Sequence, residues 1–195
     1  LMASIYEYTD DYSSCISYSN KAINALSKQD DAWMAFAFVT RANAYYKIDD
    51  INNAVKDYGM SIYYNPNNYD VYKERAQCYF EQEKYDLSDK DYNKMISLDA
   101  GNILGYMGLG RNAKMRGLYD TAIERFDYVI KMAGDSYSSA YSFRAECYMY
   151  QNKYNEAIND IIKALSIDGD DKAWSMLFDI EDTSAYRKER FAKII

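Results

Sequence analysis

The sequence predicts an all-α fold of stacked antiparallel helix hairpins, and three observations carry that prediction. The phrases Phe38-x-x-Arg41-Ala42-x-x-Tyr45, Tyr72-x-x-Arg75-Ala76-x-x-Tyr79 and Tyr141-x-x-Arg144-Ala145-x-x-Tyr148 are near copies, with Tyr106-x-x-Leu109-Gly110 as a looser copy between them. Each is followed by a second phrase at helical spacing: Ala54-x-x-x-Tyr58, Ser88-x-x-x-Tyr92, Ala122-x-x-x-Phe126 and Ala157-x-x-x-Ile161. The copies return every ~34 residues, the length of a two-helix unit that buries its apolar face only against its neighbours.

In chain order, Tyr12-x-x-Cys15-Ile16 and Ala22-Ile23 repeat the second-helix phrase of Tyr154-x-x-Ala157-Ile158 and Ala164-Leu165. Residues 1–30 therefore read as a partial N-terminal repeat. The link into Ala32-Trp33-Met34 is about five residues longer than the others, so the next helix should start early. Full units follow at 35–68, 69–102, 103–137 and 138–171, each with two helices. Turn residues stand where hairpins need them, at Asp49-Asp50, Asn65-Pro66-Asn67, Asp99-Ala100-Gly101-Asn102, Gly117 and Asp168-Gly169-Asp170. The single proline, Pro66, lies at a unit junction, where it ends a helix without breaking one. Ala173-Trp174-x-x-Leu177-Phe178 opens another first helix and 185–195 a basic-tipped last one, so 172–195 should cap the stack. All 195 residues read as one domain.

Composition narrows the chemistry. A net charge of −7 and a pI near 4.7 argue against nucleic acid, whose phosphates need clustered Lys and Arg. The chain has no His, which removes the commonest general base and metal ligand and every Ser-His or Cys-His nucleophile. Cys15, Cys78 and Cys147 are odd in number and far apart, and read as reduced, packed thiols. Asp168-Gly169-Asp170-Asp171 opens like a calcium loop but lacks the remaining ligand spacing and the closing Glu. No enzyme activity, metal site or cofactor is expected. No run of about 18 apolar residues exists, so no segment should enter a bilayer. Leu1-Met2-Ala3-Ser4 shows no leader, the chain reads as trimmed before Leu1, and a cytoplasmic location is expected.

The residues that repeat resemble tetratricopeptide repeats, which implies a right-handed superhelical solenoid whose first helices line a concave groove. In that frame Ala42, Ala76, Gly110 and Ala145 mark the closest approach of the two helices, as do Ala54, Ser88, Ala122 and Ala157 on the second helix. The tyrosines at 45, 79 and 148, with those at 85, 119 and 154, fill the wedges between helices. One departure stands out. Arg41, Arg75 and Arg144 replace the Leu common in the family, and sixteen residues on stand Asp57, Asp91 and Asp160. The third unit has Leu109 and Arg125 at these two positions. The joint change predicts an ion pair within each of the other three hairpins.

The groove that the resemblance implies would be lined by Phe36, Val39, Asn43, Tyr46 and Lys47, then Asp70, Lys73, Gln77, Phe80 and Glu81. The third unit would add Leu104, Met107, Arg111, Lys114 and Met115, and the fourth Ser139, Ser142, Glu146, Met149 and Tyr150. Its occupant would be a peptide or partner protein. Lys47, Lys73, Arg111 and Lys114 make an acidic or carboxylate-ended peptide the sharper expectation. The carboxylate clamp of the chaperone-binding members is not carried: Asn43 is present, but Val39 stands where a Lys is needed, the next unit offers Glu74, and Lys73 remains alone. Gly105, Gly108, Gly110 and Gly117 cluster in the third unit and predict close packing there, the alternative being a groove widened into a pocket with Met107 and Arg111 at its edge. The alternatives are self-assembly through exposed ends, Trp33 and Tyr18 on one side and Phe191 to Ile195 on the other, or an interaction domain of a larger enzyme or signalling protein.

Overall fold

The computed structural model describes residues 10–26 and 30–168, with isolated positions at 173, 175, 176 and 180. Of the expected caps at 172–195 only those four positions are described, and the self-assembly end at Phe191 to Ile195 lies outside the described residues. Two compact units divide at residue 100, Leu1–Ala100 and Gly101–Ile195. The first holds α1 (Tyr12–Ala25), α2 (Asp31–Lys47), α3 (Ile51–Tyr64), α4 (Tyr69–Glu81) and α5 (Tyr85–Leu98). The second holds α6 (Ile103–Met115), α7 (Tyr119–Ala133), a 3₁₀ turn at Gly134–Ser136, α8 (Ser138–Tyr150) and α9 (Tyr154–Asp168). No strand occurs among the described residues. The packed pairs are α2 with α3, α4 with α5, α6 with α7 and α8 with α9.

Local chemistry sets the helix boundaries. Side chains of Asp11, Asp50, Asn68 and Asn102 accept from the backbone N–H groups of Ser14, Asn53, Asp70 and Gly105 at 3.1–3.2 Å, satisfying donors the first turn leaves unpaired. Helix α2 has 17 residues where α4, α6 and α8 have 13, the early start that its longer link predicts. Every second helix is entered through one left-handed residue. These are Asp10, Asp49, Glu83, Gly117 and Asn152, at φ of 57–74°. Asp10 has the same entry turn, which marks α1 as the second helix of a hairpin.

The small-residue columns sit where expected. Ala42, Ala54, Ala76, Ser88, Ala122, Ala145 and Ala157 are each 0% exposed. Cys15 occupies the same column in α1, and its thiol faces the Thr40 carbonyl at 3.7 Å. At Gly110 a Cβ would lie 2.5 Å from Cε1 of the fully buried Phe126. Glycine therefore answers a steric need there, whereas Gly117 answers a backbone one.

All three predicted ion pairs form, and each is bidentate. Arg41 meets Asp57 at 2.6 and 2.7 Å, Arg75 meets Asp91 at 2.8 and 2.7 Å, and Arg144 meets Asp160 at 2.7 and 2.6 Å. The three Asp residues are buried, and the hydrogen bond to Asp57 raises the Arg41 pKa above its ordinary value. Each guanidinium also lies beside two rings of its own helix, Phe38 and Tyr45, Tyr72 and Tyr79, or Tyr141 and Tyr148, at 5.4–6.0 Å. The remaining nitrogen reaches the preceding hairpin: Arg41 donates to Asn20 and Arg144 pairs with Asp127, while Arg75 faces Gly59.

Candidate functional site

In the first unit, the face of α2 that carries Val39, Asn43, Tyr46 and Lys47 opens toward the start of α4. A pocket of about 360 Å³ lies there, completed by Asn68, Asp70, Val71 and Glu74. The buried Tyr58 hydroxyl of α3 donates to Asn43 Oδ1 at 2.8 Å, so the amide is held from behind by a group that solvent does not reach. Tyr46 donates its phenol to Glu81 at 2.5 Å, and Gln77 donates to the same carboxylate at 3.0 Å. Burial, reinforced by Glu81, drives the Tyr46 pKa up, so the phenol stays a proton donor. Lys73 is paired with Glu74 at 3.0 Å. Lys47 is exposed and has no acid within ion-pair distance among the described residues.

Three of the residues singled out from sequence, Asn43, Tyr46 and Lys47, thus line one pocket. Lys73 and Gln77 lie beside it, bound to Glu74 and Glu81. Phe80 turns its edge toward Tyr85 at the start of α5, with ring centres 5.7 Å apart.

In the second unit, Arg111 and Lys114 both lie against the Phe143 ring, at 5.8 and 4.9 Å, and Lys114 pairs with Glu146. Met149 is partly buried against the core formed by Tyr141, Ala157 and Ile161. Tyr150 is 65% exposed and stacks on Tyr119 at 5.0 Å. Met107 corrects the sequence reading: it is 6% exposed and belongs to the core with Phe126, Val129 and Ala140, not to a surface. Ser142, at 2%, is likewise interior. Sequence reasoning missed Tyr58, Asn68 and Val71. Asn68 carried a signal as a helix cap before Tyr69; the partnership of Tyr58 with Asn43 carried none.

Pairing also changes the charge balance. Lys73 and Lys114 are met by acids of the chain itself, which leaves Lys47 as the basic group lining the pocket. Among the described residues no cluster of three or more His, Cys, Asp or Glu is placed to hold a metal ion, and no helix is long and apolar enough to cross a membrane.

Four helix hairpins with shared columns, and a pocket between successive first helices, define a helical-repeat protein. Residues 69–102 and 138–171 match the model of the tetratricopeptide repeat. These two stretches of the chain are tetratricopeptide repeats. Human serine/threonine-protein phosphatase 5 is 32% identical over 93 residues, 48% of this chain and 19% of that protein. Human DnaJ homolog subfamily C member 7 is 35% identical over 96 residues, again 19% of its length. The chain thus spans about a fifth of these relatives. Among solved structures, MamA superposes with a TM-score of 0.75 at 17% identity, covering 85% of this chain and 94% of that one. YrrB, described as a TPR protein with an unusual peptide-binding site, gives 0.71 at 16% identity, covering 89% and 87%. These likenesses show the fold, an all-α tetratricopeptide-repeat solenoid.

Proposed function

We propose that the chain is a non-enzymatic protein-interaction scaffold, one domain of four full repeats, and that an extended peptide segment of its partner enters the pocket between α2 and α4. The observation that carries this reading is the pinned amide of Asn43 at the pocket wall. An extended peptide brings one N–H and one C=O per residue that must be satisfied when it leaves water. Asn43 and Asn68 offer amide groups for this, and an orientation fixed in advance reduces the ordering cost of binding. Lys47 meets an acidic side chain or a terminal carboxylate of the peptide. Arg111 and Tyr150 are further contact positions in the second unit. The three buried cysteines, none of them in a disulfide, favour a reducing compartment such as the cytoplasm.

A hydrogen bond to a charged group contributes about 1.5–3 kcal/mol, so losing it weakens binding roughly 10- to 100-fold. The test is selection of a displayed random decapeptide library on the purified chain, followed by calorimetric titration of the enriched peptides. Lys47→Glu should lower their affinity about tenfold or more, and Asn43→Ala, which loses a neutral hydrogen bond, about three- to tenfold. Peptides that bind both variants as they bind the wild type would reject the pocket as the site.

A further inference from the structure

The early start of α2 adds a turn that α4, α6 and α8 lack, and that turn carries Trp33. Trp33 is 56% exposed and packs edge-on against Phe36, itself 44% exposed, with ring centres 6.1 Å apart and planes at 87°. Two large rings left in water, yet fixed against each other, are costly on a surface and suited to contact. At about 100° per residue, Phe36 lies within about 20° of both Asn43 and Lys47 around α2. Phe36 therefore continues the face that lines the pocket, and Trp33, about 60° round from Phe36 and about 40° from Lys47, flanks its edge.

We infer that Trp33 and Phe36 form an apolar subsite of the same groove, and that the peptide it selects carries a bulky apolar side chain at a set distance from its acid. This rests on the groove reading above. Along α2, Phe36 lies about 10 Å from Asn43 and about 16 Å from Lys47 at a rise of about 1.5 Å per residue. An extended peptide advances about 3.3 Å per residue. The apolar anchor therefore stands about three residues from the group at Asn43 and about five from the acid at Lys47. The occupant follows from complementarity, a ring pair for the anchor and an unmatched Lys for the acid; a peptide with an acid alone leaves both rings in water.

The library-selected decapeptides test this directly. They should share a large apolar residue about five positions from an acid, and binding should shift Trp33 emission to the blue, read as the difference between wild type and Trp33→Phe. The double variant Trp33→Ala/Phe36→Ala should bind them at least tenfold more weakly, while a peptide with its anchor changed to Ala binds wild type and double variant alike. Far-UV circular dichroism verifies that the double variant is folded; if it is not, the blue shift alone decides, and its absence overturns the subsite. Peptides that lose affinity with Lys47→Glu but not with the double variant also overturn the subsite and leave the groove reading intact. Indifference to both sinks both.

Discussion

The pairing of Arg75 with Asp91 should behave as one unit whose halves are worse apart than absent together. Asp91 is 4% exposed, and the Arg75 side chain retains 20% exposure between the Tyr72 and Tyr79 rings. Breaking a buried pair costs about 3–5 kcal/mol because a charge stays behind in a poorly solvated place. The partly wet guanidinium lowers this, so Arg75→Leu should cost about 3 kcal/mol and Asp91→Leu about 2. The double Leu variant leaves no charge and should come within about 1 kcal/mol of wild type. A double-mutant cycle should then give a coupling of about 4 kcal/mol. In melting temperature, each single change should lower Tm by about 5–10 °C, since 1 kcal/mol shifts a chain of this size by about 2–4 °C. Urea and thermal unfolding followed by far-UV circular dichroism read the effect, with coincident tyrosine fluorescence as the check on cooperativity. Single variants that add to give the double variant within about 0.5 kcal/mol would refute the reasoning.

Gly110→Ala should destabilise by about 1–3 kcal/mol through the clash with Phe126, and Phe126→Ile should recover most of it, because the fourth hairpin already pairs Ala145 with Ile161; thermal melts of the three variants decide. Glu83→Gly should stabilise by about 0.5 kcal/mol, the relief of a left-handed residue less the extra freedom of the unfolded glycine, and a lower urea midpoint would contradict it. Burial pushes the Cys78 and Cys147 thiols up to about 12. Their folded values lie above the unfolded ones, so their stabilisation is complete below about pH 9 and is lost as pH rises from there toward 12. The Tm of wild type should fall across that window more steeply than that of Cys78→Ala/Cys147→Ala, and neither thiol should react with a maleimide in the folded chain at about pH 8.

The hairpin frame was legible because its constraints recur. A small residue at the helix crossing and a ring in each wedge appear in successive copies, and the exchange of Arg and Asp for Leu109 and Arg125 exposed the ion pairs by its own exception. Features that occur once were not legible. The contact of Lys114 with Glu146 joins α6 to α8 across 32 residues and depends on side-chain reach, not on periodicity. Met107 lay on the expected groove stripe, but its side chain packs inward with Phe126, Val129 and Ala140, contacts that come from other helices and that periodicity within α6 does not show. The left-handed turn at Glu83 was invisible because neither Gly nor Asn announces it; only its alignment with Asp49, Gly117 and Asn152 does. The pocket itself needed two helices from adjacent copies, so no single phrase contained it.

The odd hairpin also bears on how the chain finds its partners while folding. Repeats this similar invite exchange, in which a first helix closes on the second helix of the wrong copy and traps a misassembled intermediate. An Arg-bearing helix that closed on α7 would bring its guanidinium against Arg125. Had α6 closed on any Asp-bearing helix, a carboxylate would be left against Leu109. The charge mismatch thus disfavours closing α6 or α7 on any helix but each other, so the copy that resembles the others least is the one whose correct closure its own side chains specify.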